Sequence, residues 1–246
     1  MPSLGSGILV AAIYVALVGL GTALFQSFTA EPASMGGALG QLLPVQFLGV
    51  LFCLYVLIRF TGWAPAGFGR VNWGGMLWFA PAWAVLIFMA WDITQALTPA
   101  LLQGFGAFGF SMLVLVTLCI AFGEEVVFRG VLLRGALTRL AVPVAMLLSA
   151  VAFGGLHTVN ALLGQDAGDT SLQVIFALLV GFFLAPLALR IGNLWPLIIW
   201  HWLWNIAVIL GQVTGILHPY VLIGIAVQTI IAIWLWAQFA RQKGAT

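Results

Sequence analysis

Glu124 and Glu125 stand side by side in a long apolar run, with Arg129 one helical turn further on, in the string Glu124-Glu125-Val126-Val127-Phe128-Arg129. A charge at bilayer depth costs between about 2.5 and 17 kcal/mol, depending on the scale used, so this concentration of charge marks a place where chemistry is done. Later apolar runs carry His157, and His201 with Asn205 four residues beyond it. A carboxylate helped by an imidazole takes a proton from water and returns it to a leaving nitrogen. A second imidazole with a carboxamide donates hydrogen bonds to the oxyanion of a tetrahedral intermediate, where one such donor contributes roughly 3–4 kcal/mol. Glu124, His157, His201 and Asn205 thus suit hydrolysis of an amide without a covalent nucleophile. Glu125 and Arg129, at i and i+4, read as an ion pair along their own helix.

Every one of these groups has a structural role open to it as well. A histidine or an asparagine within a membrane helix commonly hydrogen-bonds the next helix. Glu124 has no opposite charge one turn away in its own helix. Glu124, His157 and His201 also make up a three-ligand set for a catalytic zinc, so zinc stays open as the alternative to a site without cofactor.

Membrane helices must position these residues. The chain is 63% apolar and 6% charged, with 11 Trp, far from the roughly 25% charged usage of soluble domains. Cutting the apolar runs at Pro, Gly and charge predicts about eight transmembrane helices, at 8–28, 40–60, 74–97, 107–137, 142–159, 171–189, 195–212 and 217–240. Most are near the ~20 residues that cross a bilayer core. The expected fold is an all-α membrane protein, a single integral-membrane domain over 1–246 with its catalytic core at 107–212. The first span lacks a basic leader and a cleavage site, and reads as a retained helix. Cys53 and Cys119 fall within spans and read as buried thiols.

Orientation follows from the basic residues. With a cytoplasmic N-terminus, Arg59, Arg70, Arg129, Arg134, Arg139, Arg190, Arg241 and Lys243 all fall on the cytoplasmic side, and Glu31, Asp92, Asp166 and Asp169 fall outside. Eight spans then place both termini in the cytoplasm, as expected of a plasma (inner) membrane protein. The basic residues are dispersed and form no patch for nucleic acid.

Depth brings the site together. The fourth span, from Ala107 to Leu137, would measure roughly 46 Å, so its last turns should emerge at the interface. The chain reverses at Leu140-Ala141-Val142-Pro143, and Glu124 and His157 lie about 16 residues on either side, which sets them at equal depth in an antiparallel hairpin. The seventh span starts at Trp195-Pro196 and carries His201 and Asn205 on one face in the cytoplasmic half.

Taken together, Glu124-Glu125-x-x-x-Arg129, Phe153-x-x-x-His157 and His201-x-x-x-Asn205 resemble the three signature motifs of the CPBP (ABI) intramembrane endopeptidases, the group that includes CAAX prenyl proteases and bacteriocin-processing or immunity proteins. The resemblance covers about residues 107–212. It implies that Glu124 and His157 activate water, that His201 and Asn205 stabilise the oxyanion, and that Glu125 and Arg129 are accessory residues organising the site. It also implies a glutamate-dependent mechanism without metal, and the His-Glu-x-x-His helix of zinc proteases is absent.

The expected partner is a membrane-embedded or lipid-anchored peptide or protein, which partitions to the depth of the site. A prenylated CAAX peptide is the substrate the resemblance brings with it. A non-catalytic membrane scaffold or bacteriocin-immunity protein is the alternative, as is a proton-coupled transporter. The scaffold leaves intact motifs unexplained, and the transporter leaves His201 and Asn205 without a role.

Overall fold

The structure, a computed structural model, describes residues 2–32 and 34–241. It is 83% helical, and no strand forms among the described residues. Seven helices are long and apolar enough to cross a membrane. Among the described residues these are α1 (Leu4–Ser27), α2 (Met35–Val56) with its continuation to Thr61, α5 (Pro99–Glu124) with its continuation to Ala136, α7 (Val142–Leu156) with its continuation to Leu162, α9 (Ala167–Ile191), α10 (Trp195–Thr214) and α11 (Leu217–Arg241). Short α3 (Trp73–Met76) and α4 (Ala80–Ala96) stand where the third span was expected, and α6 (Leu133–Ala136) and α8 (Val159–Leu162) are single turns. At 17 residues, α4 reaches only about 25 Å. The turn at Leu77–Phe79, just ahead of Pro81, separates it from α3. The expected span 74–97 is therefore a short helix with a detached first turn. The basic tail of the orientation argument is described only to Arg241; Gln242 and Lys243 lie outside the described residues.

Polar side chains start these helices. Ser3 accepts from Ser6 N in a capping box, and the side chains of Ser34, Thr98 and Asp166 accept from backbone N–H groups in the first turns of α2, α5 and α9. Asp166, expected in an external loop, is thus a helix cap. Gly106 interrupts α5 with φ 59°, so the straight part of this helix begins at 107, where the sequence put the start of its span. Gly192 and Gly215 end α9 and α10 in the left-handed conformation.

The core gathers around the end of α5. α2 and α10 pack on α5, α1 packs on the segment that follows it, and α7 packs on α9. The α7–α9 contact is close because small residues meet there: a Cβ on Gly181 would lie 3.0 Å from Ala150 Cα. In a bilayer, where apolar burial does not drive association, such close approach is a main source of helix–helix stability. The entry to α10 is tied to the loop before α3. Asn193 Nδ2 donates to Gly69 O at 2.5 Å, its Oδ1 accepts from Trp195 N at 2.8 Å, and Leu194 N donates to Gly67 O at 2.9 Å. Further along α10, the fully buried Trp200 donates from Nε1 to Ala82 O at 3.3 Å and stacks on Trp204. These anchors fix the rotation of the helix that carries His201.

Candidate active site

Directly after Glu124 the winding changes. Glu125–Leu132 forms a π-helical segment, in which Leu133 N donates to Phe128 O, five residues back. The Phe128 carbonyl also accepts from Ser149 Oγ of α7 at 2.8 Å. Wider winding leaves backbone groups available to a neighbouring helix, and such segments recur at functional sites. All eight residues of the segment are buried. Composition alone does not signal this winding, because it differs from an α-helix only in hydrogen-bond register.

The charges converge on His201. Glu125 Oε1 lies 3.0 Å from Arg129 Nη1 and 2.9 Å from His201 Nδ1, the geometry of two N–H groups donating to one carboxylate oxygen. On the other side of the imidazole, His201 Nε2 lies 3.6 Å from Glu124 Oε2, close enough to pair but long for a hydrogen bond. The two glutamates therefore bracket the two nitrogens of one ring. Glu125 and Arg129 are fully buried, and Glu124 and His201 are 7% and 5% exposed. Among the described residues Glu124 Oε2, Glu125 Oε2 and Arg129 Nε and Nη2 have no hydrogen-bond partner. Unsatisfied groups on this scale are costly and rare in a folded interior. The expected Glu125–Arg129 pair is present, and Glu125 also holds His201.

His157 ends α7 as its C-cap rather than sitting within the helix. Its Nδ1 donates to Phe153 O at 3.1 Å, so in the neutral ring Nε2 is the acceptor nitrogen. His157 forms no hydrogen bond or ion pair with Glu124 among the described residues, and it joins the cluster through Phe153, whose ring lies 5.3 Å from its own and 5.9 Å from that of His201. Asn205, one turn beyond His201, is half-buried and makes no side-chain hydrogen bond among the described residues. The structure brings Glu124, Glu125, Arg129 and His201 into direct contact, and places His157 and Asn205 at the margin.

Tyr14 of α1 was not anticipated from the sequence. It is 1% exposed, meets Phe128 edge-on and closes over Gly123, the residue before Glu124, where any Cβ would collide with its hydroxyl and ring. Ser149 and Phe153 likewise touch the glutamate segment. No local spacing reveals contacts of this kind, which depend on how α1 and α7 pack. Among the described residues no three His, Cys, Asp or Glu side chains are grouped to hold a metal ion.

A helical membrane bundle with a buried carboxylate–imidazole cluster defines the class, an integral membrane protein with a polar site inside it. Residues 105–207 match the family model of the Rce1-like proteins, described as type II CAAX prenyl endopeptidase Rce1-like. The matched interval contains all three motifs and nearly coincides with the region that carried the resemblance, which is thereby shown. The match implies a protease. No curated protein and no solved structure matches the chain.

Proposed function

We propose that the chain is a glutamate-dependent intramembrane endopeptidase that hydrolyses a peptide bond of a membrane-associated substrate of the prenylated CAAX type. The observation that supports this reading is the bracketing of His201 by two buried glutamates. Glu124 takes a proton from the attacking water, and His157 assists through Nε2, the nitrogen left free by the Phe153 carbonyl. His201 and Asn205 donate to the oxyanion. For Nε2 of His201 to donate while Nδ1 donates to Glu125, the ring carries both protons in this scheme. The buried cluster then holds two cations and two anions, so its charges balance. As the tetrahedral intermediate collapses, the C–N bond breaks and Glu124 returns its proton to the leaving nitrogen, giving an acid and an amine.

No metal enters this scheme. With α4 counted as an eighth crossing, both termini face the cytoplasm and the site lies in the cytoplasmic half of the bilayer, where a lipid anchor holds a peptide at the right depth. The purified chain in liposomes should cleave a prenylated CAAX peptide, and should cleave the same peptide without its prenyl group far more slowly. Binding of both peptides with no cleavage of either would instead favour the scaffold alternative.

A further inference from the structure

Phe153 lies where the polar groups of the site meet. Its ring is 2% exposed, and its face sits 4.0 Å from Arg129 Cζ. The rings of Phe128, His157 and His201 stand nearly perpendicular to it, with centroids 5.6, 5.3 and 5.9 Å away. Arg129 is fully buried, and of its three guanidinium nitrogens only Nη1 has a partner. A cation so poorly hydrogen-bonded needs another source of electrostatic compensation. The negative face of an aromatic ring provides it, and does so most strongly where water is excluded.

We propose that Phe153 is a positioning residue of the peptidase site. Its π face seats the Arg129 guanidinium, Arg129 fixes Glu125, and Glu125 orients His201 through Nδ1, while the flank of the same ring and the carbonyl of Phe153 set the orientation of His157. Phe153 thereby couples two imidazoles that do not touch each other. It acts through other residues and has no part in bond making. The proposal rests on the peptidase reading, but its electrostatic core is independent of that reading.

Incorporation of singly, doubly and triply fluorinated phenylalanine at position 153 tests it, because fluorine drains the ring face with little change in volume. In the full-length protein, the thermal midpoint should fall stepwise along the series. It should stay level along the same series in a Glu125→Gln/Arg129→Met background, where no cation faces the ring. With the prenylated peptide, kcat should fall by about tenfold at the triply fluorinated ring while KM stays constant. Midpoints and kcat that ignore fluorination, with activity lost only in Phe153→Leu, would reduce Phe153 to a space-filling residue and overturn the proposal. A wild-type chain that cleaves nothing would fail the peptidase reading instead, and the paired thermal series would then judge the seating of Arg129 by itself.

Discussion

At the scale of single residues, Glu125 joins Arg129 to His201 through one oxygen. Glu125→Gln would leave Arg129 buried without its carboxylate, and breaking a buried pair from one side typically costs about 3–5 kcal/mol. Chemical or thermal unfolding in detergent should show a loss of that size, largely recovered in Glu125→Gln/Arg129→Met, since an apolar replacement removes the stranded charge. A loss below about 1 kcal/mol would mean that the pair carries little of the site's organisation. The pair itself was legible in the sequence because i and i+4 share a helix face. The bond to His201 was not, because 76 residues separate the partners and only the rotation of α10, fixed by Trp200 and Asn193, brings them together. The place of His157 as a helix cap bonded to its own backbone was not legible either, because the hairpin spacing says nothing of where α7 ends.

At the scale of elements, α1 reaches the site through Tyr14, and Gly123 is the residue that makes room for it. Gly123→Ala should force the ring away from the start of the glutamate segment, at a cost of about 1–3 kcal/mol. Tyr14→Leu should relieve part of this, so the double variant should be more stable than the sum of the single effects, as a double-mutant cycle of thermal midpoints would read. Ser149→Ala removes a hydrogen bond to the π-helical segment and should cost about 1 kcal/mol. The helices themselves were legible from apolar runs and their punctuation. Gly106 marked the start of the straight part of α5, and Trp195 with Pro196 marked the start of α10. The third span was drawn too long, since hydropathy averages across Leu77–Phe79, where the backbone turns.

At the scale of the whole molecule, apolar composition made the membrane bundle legible, and three short motifs made the similarity to the Rce1-like family model legible over 105–207. The substrate was not legible, because an apolar wall accepts many lipid-anchored chains and encodes no sequence preference. If water is activated by Glu124 and His157 without metal, the purified protein should keep its activity after exhaustive treatment with EDTA or phenanthroline and contain far less than one zinc per chain. Stoichiometric zinc whose removal abolishes cleavage and whose return restores it would make Glu124, His157 and His201 ligands instead. In the proposed mechanism Glu124 is the base. Its most direct test is the cleavage rate of a prenylated CAAX peptide by the purified wild-type chain and by Glu124→Gln, which keeps size and hydrogen bonding but cannot accept the proton. The variant should stay folded and lose at least about 10²-fold in kcat; cleavage by Glu124→Gln at the wild-type rate would contradict the account.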